Sequence, residues 1–315
     1  MTDEQKYVVG VGAANVDVHG RSRNALVMRD SNPGRMNTSA GGVTRNILEN
    51  IARLGARTKL ISAIGDDVYG EKIIRDSTRA GIDMSHCIHV EKSASSTYMS
   101  LLDNTGDMFI ALSDMSIAQN ITKQALDGNR EMIRGASVVV TDPCIKTETL
   151  KYLVEDTAKG VAVFVDPVST YYASTIADFI GLFHTVKPNE LELEILSGIK
   201  ITDEKSIDRA CTELLNKGVQ RVFVSRGKNG CYYKDAAGNT TQRRLEPLDE
   251  MVNATGAGDA FMGALTYSWV NGFDIEKTID YALAAGILAI LAYETISPLM
   301  NVDLIEKTIK ERTLK

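Results

Sequence analysis

Four short stretches combine residue types and spacings that can do chemistry. The first is Asn253 to Phe261, NATGAGDAF, in which three small residues and an acid open an apolar helical pattern. Gly256 and Gly258 can make a tight turn, and Asp259 in a first helical turn suits the helix dipole. The second is GGVTRN, Gly41 to Asn46, two glycines just before a helical pattern over 43–55. Gly42 lets backbone approach a ligand, and Asn46 lies one turn inside, where its amide reaches the same place. The third is KPNELELE, Lys187 to Glu194. Asn189 and Glu192, three apart, are either an ordinary helix start or a pair that holds a hydrated Mg²⁺ through its waters.

The fourth is VSRGKNGCYY, where Ser225, Gly227 and Gly230 mark a glycine turn between two strands. Such a turn is a plain hairpin or, after a late parallel strand, a contact for nucleotide phosphates. Near the start, GVGAAN lacks the third glycine of a dinucleotide fingerprint, and VDVHG after it alternates like a strand. That leaves Asn15 and Asp17, two polar side chains on one side of an extended segment, suited to turn formation or to the vicinal hydroxyls of a sugar. No spacing supports a hydrolase triad, a Walker loop or a zinc site.

Elements must exist to position these residues. β-branched runs at 7–13, 58–65, 137–142, 161–166 and 221–227 alternate with helical patterns at 43–55, 70–80, 190–197 and 205–217. Continuously apolar strands separated by helices predict an α/β fold with a mainly parallel sheet covered on both faces, its ligands beyond the carboxyl ends of the strands. The segment 96–114 instead alternates about DNTGD, a hairpin signal. With the polar segments 15–22 and 33–39 it predicts a small antiparallel lid. The expectation is one domain over 1–315, with lid segments at about 15–40 and 88–115.

The bulk composition narrows the function. With 44% hydrophobic and 24% charged residues the 315-residue chain is globular, and a net charge of −6 argues against nucleic acid or anionic lipid as a partner. Four scattered cysteines suit reduced thiols. The start MTDEQKYVVG is not a secretory signal, and the apolar run 282–293 is too short to span a bilayer. The expectation is a cytoplasmic protein.

GGVTRN, KPNELE and NATGAGDAF, in that order and spacing, resemble the motifs of the ribokinase-like (PfkB) carbohydrate kinases, and the likeness spans nearly the whole chain. VGAANVDVHG, DSNPG and STYMSLLDNTGDM are more similar to a nucleoside-phosphorylating branch than to ribokinase or adenosine kinase. The resemblance implies a ribokinase-like fold and an ATP-dependent phosphorylation of a hydroxyl. It casts Asp259 as general base and the backbone of Gly256, Ala257 and Gly258 as an anion hole. It places Asn15, Asp17, Gly42 and Asn46 on the ribose, Ser31 near the nucleobase and the lid over both. Asn189 and Glu192 would organise Mg²⁺, while Ser225, Gly227, Gly230 and the helix at 282–289 would line the ATP pocket. It further implies a homodimer through the lid. Where the family commonly has an aspartate tied to a monovalent-cation site this chain has Asn253, which removes a charge and puts potassium activation in question. Two alternatives share the fold: another sugar or nucleoside kinase, and a non-catalytic sugar-binding regulator.

Overall fold

The computed structural model describes residues 6–246, 255–292 and 294–313. In chain order its first elements are β1 (Tyr7–Val11), β2 (Asn15–Ser22), β3 (Gly34–Gly41), α1 (Val43–Arg53), β4 (Arg57–Ile61), β5 (Ala63–Gly65) and α2 (Val68–Arg79). Then come β6 (Ile82–Asp83), β7 (Ile88–Val90), β8 (Thr97–Leu102), β9 (Met108–Asp114), α3 (Lys123–Gly128), α4 (Arg130–Arg134), β10 (Val138–Thr141), α5 (Thr147–Tyr152), β11 (Val163–Val165) and α6 (Thr170–Ile176). The rest are β12 (Thr185–Val186), α7 (Glu190–Ser197), α8 (Glu204–Lys217), β13 (Arg221–Ser225), β14 (Cys231–Asp235), β15 (Thr240–Arg243), α9 (Ala257–Asn271), α10 (Ile275–Ile290) and α11 (Val302–Arg312).

Nine strands form the main sheet in the order β15-β14-β13-β12-β11-β10-β1-β4-β6. From β6 to β13 every pairing is parallel, and β14 and β15 add an antiparallel edge. The α/β expectation, with a mainly parallel sheet between helices, is therefore met. Both faces are dry because successive residues point to opposite sides. Val8, Val138 and Val140 join one apolar cluster with α1, α9 and α10, while Val9, Val11 and Val139 join a second on the other face. From β1 the chain moves outward to β4 and β6, then returns to add β10 on the opposite side. That reversal opens a crevice between the carboxyl ends of β1 and β10, where sheets of this kind bind ligands.

A second, four-stranded sheet has the order β3-β2-β8-β9: two antiparallel hairpins, β2/β3 and β8/β9, joined by a parallel β2–β8 contact. Register sorts its residues by face. Asp17 pairs with Ser39 and Tyr98, and His19 with Asn37 and Ser100, giving a polar face. Val18 pairs with Met99, which pairs with Leu112, and Leu101 pairs with Ile110, giving an apolar face. Met99, Ile110 and Leu112 on that face are exposed.

The helix 282–289 lies inside α10, where Ala282, Ala285 and Ala289 are buried. All four cysteines are free and buried, as expected of small core residues. Among the described residues no helix is long and apolar enough to cross a membrane.

Candidate active site

Two helix starts meet at the crevice. Helix α9 crosses α1 at Gly263, where a side chain's first carbon would lie 2.8 Å from Asn50 Cβ. One turn earlier on each helix stand Asp259 and Asn46, which the i, i+4 geometry stacks above that crossing. Asn46 Nδ2 donates to Asp259 Oδ2 at 2.9 Å, closing a contact across 213 residues of sequence. The two motifs thus share one site.

Both helices begin at a glycine with a positive φ and no side-chain cap, Gly42 at φ 99° and Gly256 at φ 83°. By contrast α2, α3, α6, α7, α8, α10 and α11 each have an N-cap side chain that accepts from the first turn. Gly256 is also sterically required, since a Cβ there would sit 1.9 Å from the Thr295 carbonyl oxygen. The first turn of α9, holding Ala257, Gly258 and Asp259, therefore begins at an N-cap that has no side chain to place over its backbone N–H groups. Next to Gly42, Gly41 has a packing reason of its own: a Cβ would fall 2.3 Å from Asp17 Oδ2.

The floor is ionisable. Asp142, Asp166 and Lys187 follow β10, β11 and β12 directly, and all three are buried. Lys187 Nζ pairs with Asp166 Oδ2 at 2.8 Å and comes close to the backbone of Gly258. Burial opposes the lysine's charge, but Asp166, Glu192 and Asp259 outweigh it and hold its pKa above the ordinary value. Asp142 accepts from Ala13 N, from Thr44 N and from Thr44 Oγ1 at 2.6 Å, so it ties the end of β1 to the start of α1.

These neighbours set the state of Asp259. Withdrawal from water and then the Asp166 carboxylate push its pKa up to about 7, against the Asn46 amide and the Lys187 ammonium; Asp142 adds a smaller upward push. At neutral pH its carboxyl group is poised between proton acceptor and donor.

The remaining expected residues divide into groups. Asn15 Nδ2 bonds Asp17 Oδ1 at 2.6 Å, and both are buried where β2 leaves the crevice. Burial raises the Asp17 pKa, opposed first by the Asn15 bond. Asn189 and Glu192 form a capping box: Asn189 Oδ1 accepts from Glu192 N, and Glu192 Oε2 from Asn189 N, each at 2.9 Å. Glu192 is buried, and its pKa is raised first by burial and then by Asp166. Ser225 N donates to Pro188 O at 2.9 Å, which sets the end of β13 beside that box. Gly227 faces open space, whereas Gly230 is packed against Arg243. Ser31 stays on the exposed loop between β2 and β3, its N–H bonded to the neighbouring Asp30 carboxylate, and nothing joins it to Asn15, Asp17 or Asn46. Asn253 and Ala254 lie outside the described residues, so the monovalent-cation reading has no structural account.

Sequence reasoning missed Asp142, Asp166 and Lys187 as parts of the site. A signal existed: VVVTD, VFVD and TVK are each an apolar strand ended by an ionisable residue. In a parallel sheet those residues all emerge at one edge.

Comparison with known proteins agrees with this geometry. The description "pfkB family carbohydrate kinase" matches residues 5–301. Over 300 residues the chain is 37% identical to the pseudouridine kinase of Escherichia coli (strain K12), covering 95% of each. A sugar kinase candidate from Clostridium perfringens, known from its crystal structure, superposes with a TM-score of 0.89 at 33% identity, over 98% of this chain and 97% of the other. A ribokinase II candidate from Escherichia coli, solved with ATP and Mg²⁺, shares the fold at a TM-score of 0.83 and 22% identity, over 97% and 99% of the chains.

Proposed function

This chain belongs to the pfkB family of carbohydrate kinases, and from that premise we propose that it phosphorylates the 5′-hydroxyl of pseudouridine, with ATP as donor. The observation that carries the reaction is the 2.9 Å bond between Asn46 and Asp259, which brings the acceptor-side motif to the uncapped start of α9. In this reading Asp259 takes the proton of the 5′-hydroxyl as its oxygen attacks the γ-phosphorus, and ADP departs with the electrons of the broken P–O bond. The N–H groups of Gly256, Ala257 and Gly258 face the charge that gathers on the transferred phosphoryl group and need no reorganisation to do so.

Asp166, Glu192 and Asp259 act on the buried Lys187 ammonium and Asp142 acts on Asp259, so four acids face one ammonium and the floor is net negative. A polyphosphate is expected there only with a cation. Among the described residues no three acidic, histidine or cysteine side chains converge closely enough to ligate an ion directly. That donor set fits Mg²⁺ held through its own waters by Asn189 and Glu192, which would neutralise phosphate charge. Ser225, Gly227 and Gly230, with α10, are assigned to the ATP side.

On the acceptor side, Asn15, Asp17, Gly42 and Asn46 are assigned to the ribose and, more weakly, Ser31 to the uracil. The chain is read as a single kinase domain in which the four-stranded sheet is the lid, its polar face turned to the substrate. A second copy is the proposed partner of the exposed apolar face with Met99, Ile110 and Leu112. Likeness to the Escherichia coli enzyme favours pseudouridine, and likeness to the Clostridium sugar kinase candidate keeps a sugar acceptor as the second reading.

Purified protein with Mg-ATP and a panel of nucleosides and sugars decides between them. Preference for pseudouridine is expected, preference for ribose or adenosine rejects the substrate, and no transfer to any acceptor leaves the sugar-binding regulator.

A further inference from the structure

Asn46 can touch Asp259 with either end of its amide, and only one end helps a carboxylate. A nitrogen donates to the anion, whereas an oxygen repels it. The cause of the observed choice lies one residue back. Arg45 is 2% exposed, and its guanidinium is fixed by two other elements of the fold, α2 and β3, and by α1 itself. Arg45 Nε donates to Ser77 Oγ on α2 at 3.0 Å, and Nη2 donates to Glu49 one turn along α1. Arg45 Nη1 donates to the Ala40 carbonyl on β3 at 3.1 Å and to Asn46 Oδ1 at 3.1 Å. Glu49 is held in turn by Arg53 at 2.6 Å, so the guanidinium has a rigid counter-charge.

A guanidinium has donors only. Whatever amide atom faces Arg45 must be the oxygen, and the Asn46 NH₂ is thereby turned to Asp259. We propose that Arg45 is a positioning residue: its buried guanidinium dictates which end of the Asn46 amide meets Asp259, and through Ala40 it ties that choice to the root of lid strand β3. The proposal rests on the role of Asp259 given above. The groups that face Asp259 are Asn46 from α1, Asp142, Asp166 and Lys187 from the strand ends, and of these only Asn46 is bonded to Arg45.

The test reads the two side chains directly in the full chain. In protein labelled with ¹⁵N-asparagine, the Asn46 NH₂ resonances, identified by their loss in Asn46→Ala, are expected to follow the titration of Asp259 near pH 7. In Arg45→Met the amide is free to turn, so this response is lost and the Asp259 midpoint, read from ¹³C-carboxyl shifts, rises by about one pH unit. Arg45→Lys, still a pure donor, is expected to keep both. A folded Arg45→Met with the wild-type midpoint and response overturns the proposal. So does a wild-type Asn46 NH₂ that ignores the titration, which decides the matter even where Arg45→Met fails to fold. A protein that shows the coupling yet transfers phosphate to no acceptor refutes the reaction and leaves the positioning role standing; an active kinase without the coupling refutes the positioning alone.

Discussion

The starts of α7 and α9 both face the carboxyl edge of the same sheet, yet they are finished in opposite ways. At α7, Asn189 and Glu192 satisfy each other's backbone N–H groups, and the helix end is complete without a ligand. At α9, Gly256 contributes no side chain and the turn's own acid, Asp259, points to Asn46 rather than to a backbone donor. A capped end is worth about 1 kcal/mol of stability. An end left bare gives that up and keeps its dipole available for an anion. The difference teaches that the motif around Asn189 is structural first, whereas the motif around Asp259 has little structural reason to carry its acid.

The comparison breaks most easily at Asp259. Asp259→Asn is expected to lower kcat by about 10²- to 10⁴-fold while substrate binding, followed by calorimetry, stays near wild type; retained turnover would return Asp259 to a dipole-stabilising role. Gly256→Ala comes next. It places a Cβ 1.9 Å from the Thr295 carbonyl at a positive φ, so a loss of about 1–3 kcal/mol in denaturant melts and a large fall in activity are expected.

The pH profile sharpens the comparison further. With its pKa near 7, Asp259 should give kcat/KM an acid limb centred there, with activity falling as the pH drops. Stability runs the other way. Between the unfolded value of 3.8 and about 7 the folded chain binds the extra proton, so this group's contribution declines as pH rises through that window and is flat above it. Asp259→Asn should therefore melt a few degrees higher than wild type at pH 8, and a lower melting temperature would contradict the raised pKa.

The smallest effect is expected at α7. Asn189→Ala loses the cap and about 1 kcal/mol in thermal melts. Glu192→Gln keeps an acceptor for Asn189 N but not the charge, so it should melt like wild type yet need more Mg²⁺ for half-maximal activity. An unchanged Mg²⁺ requirement would confine Glu192 to the capping box.

Much of this was legible along the chain. The bounds of α7 follow from Pro188, Asn189 and the glutamates after them, and those of β2 from the alternation in NVDVHGRS. The polar and apolar faces of the four-stranded sheet follow from alternation in its strands. Asp142, Asp166 and Lys187 were harder, because each is one ionisable residue after an apolar run and nothing in one strand says what the next strand brings beside it. Ser31 is the opposite case: it lies on an exposed loop between β2 and β3, bonded to the neighbouring Asp30, and its assignment to the uracil stays a proposal.

Local chemistry, then, is written in the residues themselves: periodicity makes the helices and strands, and glycine at 42 and 256 gives two helices an N-cap with no side chain, one of them closed by Asp142 from another strand end. Charge state and partnership are not local. That Asp259 titrates near neutrality, that Asn46 has its nitrogen within reach of that carboxylate, and that Lys187 stays charged without water depend on elements that meet only in the fold, α1 with α9 and the ends of β11 and β12 with both. Coulomb interactions and desolvation depend on distance in space, and only the crossing of α1 over α9 above the strand ends fixes those distances.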